Sequence, residues 1–239
     1  MDRKGIEYEA GPGHGEIIIR DPGPKGAKHV VAPGTKGGGH TKPDVDEPLD
    51  PIKAPEHRAM TARLNYTASG RPGLAFSVKE LARTMGAPTV ACRKELKLLA
   101  RHLLNRLRMV LKSKHQKAQE KLRVCTDADW AGCRSTRESA SGGAVALGSH
   151  ALKAWSKTQS LLALSPGEGG FYAALGASAE ALGVLPMVKG FGCKMKGGPR
   201  RRISSAWHYS APRLRKNEAY RHWVVVDTAG SGRAETLIQ

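Results

Sequence analysis

Acidic residues in the second half of the chain have the type and spacing to bind a metal ion. Asp127 and Asp129 follow a short apolar strand predicted over residues 122–125, and Glu168 stands near the start of a predicted helix. Carboxylate oxygens are the ligands that Mg²⁺ prefers in proteins. Asp127 is the candidate ligand, whereas Asp129 fits a turn or capping residue better. The stretch therefore predicts a metal site around Asp127.

The elements that would position these residues are strands followed by a helix. Two more strands are predicted over residues 143–147 and 152–155, and a helix begins after Ser165. Proline follows Ser165 at the first helical position, and a glutamate three residues after a serine forms a capping box. This pattern explains Glu168 as a helix-start residue better than as a metal ligand. Pro186 is expected to break or kink the last turn of the helix.

The first half of the chain changes from irregular to helical. Residues 1–55 are predicted to be mostly irregular, with one strand over residues 16–20, where a compact β-branched run occurs. Residues 56–112 carry apolar side chains at helical spacing, and Thr89 can cap the last helix. Three amphipathic helices are predicted over residues 56–66, 74–85 and 90–110. A polar linker over residues 112–121 then leads into the first strand of the second half.

The charge balance favours a polyanionic partner. The chain has 39 lysines and arginines against 21 aspartates and glutamates, a formal charge of +18. Such an excess attracts nucleic acid through phosphate contacts and counterion release. An equally open alternative for the basic helix face is a solvated surface with no ligand. The predicted nucleic-acid-binding residues are Arg93, Lys97 and Arg101 on that face, and Arg200, Arg201 and Arg202 in the tail.

Cysteine usage and hydropathy predict an intracellular protein. Cys92, Cys125, Cys133 and Cys193 form no CxxC pair, which disfavours a zinc site and a disulfide framework. The first residues contain no apolar signal-peptide core, and no apolar run approaches the length of a membrane span. We therefore expect an intracellular protein that is neither secreted nor bound to a membrane, in a compartment and an oligomeric state that the sequence leaves open.

The motifs resemble a known family. Residues 125–132 (CTDADWAG) and 136–168 (TRESASGGAVALGSHALKAWSKTQSLLALSPGE) are similar to the ribonuclease H domain that closes copia-type retrotransposon polyproteins. Residues 64–103 resemble the segment between reverse transcriptase and that domain. Residues 5–19 (GIEYEAGPGHGEIII) resemble the last strand region of the copia-type polymerase. The resemblance covers roughly residues 5–193.

The resemblance implies a fold and a reaction. The fold would be α/β, an incomplete ribonuclease H-like mixed sheet with helices, preceded by a small helical connector. The reaction would be hydrolysis of the RNA strand of an RNA–DNA hybrid, with Mg²⁺ as cofactor and nucleic acid as partner. In the family, two divalent metals are held by a carboxylate cluster. Three positions are essential: an aspartate ending the first strand, a glutamate in the first helix and an aspartate ending a later strand.

This sequence departs from that carboxylate pattern. Asp127 matches the first position, as catalytic and metal-binding residue. The second position falls on Gly170, and Glu168 is only a weak substitute. The third position is replaced by a basic tail, in which Asp227 is a weaker substitute still. Activity is therefore expected to be impaired, and these departures from the family pattern predict an inactive chain.

The predicted organisation has four parts. Residues 1–55 are a polymerase remnant and linker, 56–112 the helical connector, 120–193 the partial ribonuclease H-like domain, and 194–239 a divergent basic tail expected to be disordered. The predicted function is a retrotransposon-derived ribonuclease H-like fragment. The alternatives are a non-catalytic basic nucleic-acid-binding module or a fragment with no function in isolation.

Overall fold

The computed structural model describes residues 5–9, 11, 13–20, 28–34, 47–104, 106–133 and 135–195, and the backbone of 224–227. Helices and strands are mixed, as the α/β prediction requires. The buried apolar side chains form two separate clusters, one among helices and one between a sheet and a helix. The chain therefore has a helical unit followed by a sheet unit, while the domain boundaries themselves stay predictions.

The helical unit packs four helices around one core. Its elements are β1 (Ile6–Glu9), α1 (Gly13–Arg20), α2 (Ala54–Ser69), a 3₁₀ turn (Pro72–Leu74), α3 (Ala75–Arg83), α4 (Val90–Leu103) and β2 (Val110–Ser113). The helices form because apolar residues recur at three- and four-residue spacing and meet in the core. Thr89 caps α4 as predicted, since its Oγ1 accepts the Cys92 N–H at 3.3 Å. The core side chains include Ile18, Met60, Leu64, Val78, Leu81, Leu96, Leu99 and Leu103.

Two predictions for this unit are wrong. Residues 16–20 belong to α1 and not to a strand, because helical spacing places Gly15 and Ile18 together on the buried side. Packing thus overrides the strand preference of β-branched residues. The third helix ends at Leu103 and not at residue 110. Beyond it the Arg71 guanidinium binds the carbonyls of Arg106 and Leu107.

A short strand, β2, also forms in the segment that precedes the sheet unit. β2 pairs antiparallel with β1, so that Glu9 lies opposite Val110. The predicted polar linker at residues 112–121 therefore contains the last two residues of β2. The polymerase remnant predicted to be mostly irregular likewise contains β1 and α1. Local sequence patterns do not predict β1 and β2, because each strand is stabilised by pairing with the other, about a hundred residues away along the chain.

The sheet unit is an antiparallel sheet with one helix across it, so the expected mixed sheet is wrong for the strands that the structure describes. Its elements are β3 (Leu122–Asp129), β4 (Ala140–Leu147), β5 (His150–Thr158), α5 (Pro166–Gly190) and β6 (Val224–Asp227), and the strand order is β5-β4-β3-β6. The three strands predicted before the helix are confirmed, each longer than expected. Because successive side chains of a strand point to opposite faces, one side of β3 is buried against α5. That core contains Leu122, Val124, Val145, Ala177, Ala181, Val184 and Val188.

The helix α5 begins as predicted and continues further. Ser165 has extended backbone and its Oγ accepts the Glu168 N–H at 3.2 Å, which confirms the capping role of Ser165. The predicted break at Pro186 is wrong, because α5 continues to Gly190. Val184 and Val188 flank the proline and are both buried against the sheet. This packing holds the helix on both sides of Pro186, which has no backbone N–H to donate to the preceding turn.

Length and composition alone would let α5 cross a membrane, among the residues that the structure describes. That finding differs from the expectation that no apolar run approaches a membrane span. A core helix passes the same test, and one side of α5 is buried against the sheet.

The tail is described in one place beyond Met195. Val224–Asp227 form β6, so the prediction of a disordered tail is wrong for these residues. The rest of the predicted tail, including Arg200, Arg201 and Arg202, lies outside the described residues.

Candidate functional site

Asp127 lies within β3, two residues before its end. Its backbone is opposite Gly142 of β4, and its Oδ1 accepts the Ala128 N–H at 2.8 Å. Its neighbour Thr126 is fully buried, and Thr126 Oγ1 donates to the Gly142 carbonyl at 2.8 Å, with the Ala173 carbonyl of α5 at 3.3 Å. Because strand side chains alternate, Asp127 lies on the other side of β3 from Thr126. The half-buried carboxylate is thus held by a well-packed central strand.

Glu168 is engaged at both carboxylate oxygens. Oε2 accepts the Leu164 N–H at 2.7 Å, and Oε1 accepts the Tyr172 hydroxyl at 2.7 Å. The Tyr172 hydrogen bond, and then the Leu164 N–H, hold the pKa of Glu168 below its usual value. The same contact raises the pKa of Tyr172. These bonds fasten the start of α5 and favour the helix-start role predicted for Glu168 over metal binding.

Gly170 leaves open space where the resemblance expects a carboxylate. It precedes the buried residues Ala174 and Ala177 by four and seven positions, so it lies towards the sheet side of α5. A Cβ added at Gly170 would meet no atom within 4 Å. Gly169, in contrast, packs against Trp130, with its ring carbon 3.6 Å from such a Cβ. The backbone around Gly170 could therefore accept a longer side chain, but the sequence supplies none.

Asp227 lies at the wrong end of its strand to join Asp127. β6 runs antiparallel to β3, and the Cα of Asp227 lies opposite that of Arg123. Asp127 lies four positions further along β3 than Arg123, a distance of about 13 Å. Because neighbouring antiparallel strands run in opposite directions, carboxylates at the C-terminal ends of two such strands lie at opposite ends of the pair. Among the described residues, no group of three His, Cys, Asp or Glu side chains could hold a metal ion.

Asp129 ends β3 beside the helical unit. Partial desolvation raises the pKa of Asp129, with Lys79 opposing and Glu80 adding to the shift. Its carboxylate also occupies the space beside Gly132, where an added Cβ would lie only 2.0 Å from Oδ2. Asp129 therefore shapes the turn after β3, as the turn prediction expects.

Two polar side chains that the sequence does not single out join β3 and β4 to the start of α5. The Trp130 indole N–H donates to the Ala163 carbonyl at 2.9 Å. Gln159 donates to Ser141 Oγ and to the Gly169 carbonyl, both at 2.8 Å. They fix α5 relative to the strand that carries Asp127. In the sequence, the one signal for Trp130 and Gln159 is that a residue able to donate a hydrogen bond follows a predicted strand.

Cys133 is a further chemically distinctive group that the sequence does not indicate. Partial burial opposes its ionisation, but hydrogen bonds with Ser135, Thr136 and Arg83 outweigh this and lower the pKa of Cys133 to about 6. Ser135 and Thr136 are sequence neighbours, whereas Arg83 comes from α3. Arg83 also pairs with Glu138 at 2.6 Å, which joins the two units beside this thiol. All four cysteines are free.

The predicted nucleic-acid-binding residues of α4 differ in their availability. Arg93 binds both carboxylate oxygens of Glu56 at 3.0 Å. Arg101 donates from Nε to the Lys28 carbonyl at 2.8 Å. Lys97 is exposed. Of these three, Lys97 is the exposed residue, and Arg93 and Arg101 contribute to the fold.

Two proteins of Arabidopsis thaliana are similar to this chain. The retrovirus-related Pol polyprotein from transposon RE1 is 27% identical over 144 residues, which is 60% of this chain and 10% of the polyprotein. An uncharacterised mitochondrial protein is 28% identical over 113 residues, 47% of each chain. The aligned part thus spans about a tenth of the first relative and about half of the second. No family model matches the chain, and no solved structure matches it.

Proposed function

We propose that the chain is a ribonuclease H-like remnant that has lost metal-dependent cleavage. The similarity to copia-type retrotransposon Pol polyproteins that its motifs predict is confirmed by these matches. The family reaction acts on RNA–DNA hybrids, and the sheet with α5 across it is the part that would carry it. The proposal concerns this part of the chain alone.

The observation that carries the proposal is the separation of the carboxylates. Asp127 is held in β3, Gly170 has no side chain, and Glu168 uses both oxygens to fasten the start of α5. Asp227 lies opposite Arg123, towards the N-terminal end of β3. The residues present therefore do not fit the carboxylate cluster that a pair of Mg²⁺ ions requires.

The test is a cleavage assay on a labelled RNA–DNA hybrid with Mg²⁺ or Mn²⁺. We expect the purified chain to show no cleavage above that of Asp127→Asn, which removes one negative charge and keeps the side chain's size. Far-UV and near-UV circular dichroism must show that both proteins are folded. Metal-dependent cleavage by the wild type that disappears in Asp127→Asn would refute the proposal.

A second candidate function is nucleic-acid binding without cleavage. The formal charge of +18 favours it, as does the exposed position of Lys97 on α4. Phosphate contacts release counterions, so the logarithm of the binding constant should fall linearly with the logarithm of salt concentration. We expect similar affinity for unrelated DNA and hybrid sequences of equal length, measured by fluorescence anisotropy. An affinity that does not change between 50 and 200 mM salt, concentrations over which phosphate-driven binding falls by about 10³ or more, would contradict this function.

A further inference from the structure

The side of α5 that points away from the sheet is apolar and exposed. Phe171, Leu175 and Leu182 are 53%, 55% and 48% exposed, although each is a large apolar side chain. Ala179, between Leu175 and Leu182, and Pro186, one turn beyond Leu182, are exposed too. We call these five residues the outer face of α5. Exposed apolar surface of this extent on a single helix commonly marks a binding surface.

The outer face has a repeating order of residues. Glu168, Leu175, Leu182 and Lys189 are spaced seven residues apart, so they follow one line along the helix with a drift of about 20° per repeat. An acidic residue stands at the first end, two leucines in the middle and a basic residue at the other end. Read from Lys189 back to Glu168, the line again has two leucines in the middle, but the basic residue now comes first and the acidic residue last. This order complements itself when two such helices run antiparallel.

We propose that the outer face of α5 binds the outer face of a second copy of this chain, helix against helix and antiparallel. In this arrangement each Leu175 meets the partner's Leu182, and each Glu168 lies beside the partner's Lys189. The two-fold axis passes next to Ala179, whose small side chain lets the two helices approach closely. A helix of 25 residues is about 37 Å long, enough for three heptads of contact.

Charge complementarity favours a second copy over other occupants. The ionised Glu168, whose pKa is lowered by its hydrogen bonds, and the exposed Lys189 cap opposite ends of the apolar line. A uniformly acidic or basic partner would match one end and be repelled at the other. A bilayer would require both ends to be desolvated, and the opposite side of α5 to leave the sheet. Exposed ion pairs contribute little free energy, so we expect them to set the direction of pairing while the leucines supply the attraction.

The test measures self-association of the full chain by sedimentation velocity between about 1 and 200 μM, a range suited to interfaces below the standard size. We expect a monomer–dimer equilibrium. Leu182→Glu should weaken the dimer at least tenfold, because it places a carboxylate in the centre of the apolar contact. Ile52→Glu is the matched control: it changes an exposed apolar residue of the helical unit, 85% exposed, and should leave the dimer unchanged.

A second measurement does not depend on the stability of Leu182→Glu. Ala179→Cys lies beside the two-fold axis and should form a disulfide-linked dimer in oxidised glutathione, to a greater extent than the wild type with its four native thiols. Lys97→Cys, an exposed position on α4, should show only the wild-type level. A chain that stays monomeric to 200 μM, a dimer equally stable in Leu182→Glu and Ile52→Glu, or equal cross-linking at positions 179 and 97 would each overturn the proposal.

Discussion

Tyr172 donates its hydroxyl proton to Glu168 Oε1 across 2.7 Å, one turn further along α5. The other oxygen of Glu168 accepts the Leu164 N–H just before the helix. The carboxylate therefore holds together the loop, the cap and the first turn of the helix that covers the sheet. A residue with these partners contributes to stability, and its contribution depends on its ionisation.

The first prediction concerns acid stability. Because the folded pKa of Glu168 is lower than its usual value of 4.5, its ionised form stabilises the fold above that pH and the contribution is lost as the pH falls through the folded pKa. Glu168→Gln should therefore lower the urea midpoint at pH 7, and the difference from wild type should shrink as the pH is lowered from about 4.5. Glu47→Gln, at an exposed position, should leave the midpoint unchanged. A pH-independent difference would contradict the ionic origin of the effect.

The second prediction concerns Cys133. With its pKa lowered to about 6, this thiol should be alkylated by iodoacetamide at neutral pH far faster than Cys125, whose pKa is raised by burial. Arg83→Gln removes one of the hydrogen bonds and should move the midpoint of the labelling rate to higher pH. Lys79→Gln on the same helix should leave that midpoint unchanged. Site-resolved mass spectrometry measures both, and equal labelling rates at Cys133 and Cys125 would contradict the prediction.

The third prediction separates two basic residues on α4. Lys97→Gln should weaken nucleic-acid binding and make the salt slope shallower by about 0.7 to 0.9, the change for one lost phosphate contact. Arg93→Gln should leave that slope unchanged and lower stability instead, because Arg93 is paired with Glu56 and largely buried. Anisotropy titrations at several salt concentrations and urea unfolding of both variants make the distinction. The assignment fails if Arg93→Gln reduces the slope as much as Lys97→Gln.

Sequence patterns predicted the elements whose signals are local. The caps at Thr89 and Ser165 could be predicted because each hydrogen bond spans three residues. The strands around Asp127 followed from short apolar runs. The helix at Gly13–Arg20 could not, because Ile18 is buried by tertiary packing that overrides local preference. Across the chain, the pairing of Asp227 with Arg123 and the contact of Arg83 with Cys133 depend on long-range geometry.

The last prediction returns a carboxylate to α5. Gly170→Glu should raise the free energy of unfolding by about 0.5 kcal/mol, since glutamate favours a helix more than glycine does and open space surrounds the position. Gly176→Glu, also in open space but on an exposed part of α5, should give a similar gain and serves as the matched control.

Neither variant should bind Mn²⁺ more tightly than the wild type in paramagnetic relaxation titrations, because Gly170 lies towards the face of the sheet that α5 covers and Asp127 lies on the other face. Adding Asp127→Asn to Gly170→Glu should therefore leave the Mn²⁺ affinity unchanged. Hybrid cleavage should stay absent even in Gly170→Glu, since β6 runs antiparallel to β3 and carries Asp227 away from Asp127. Tighter Mn²⁺ binding by Gly170→Glu than by Gly176→Glu, lost again on adding Asp127→Asn, would contradict this and show that the two side chains share a site. Cleavage by Gly170→Glu would instead show that two carboxylates suffice and that the lost glutamate alone accounts for inactivity.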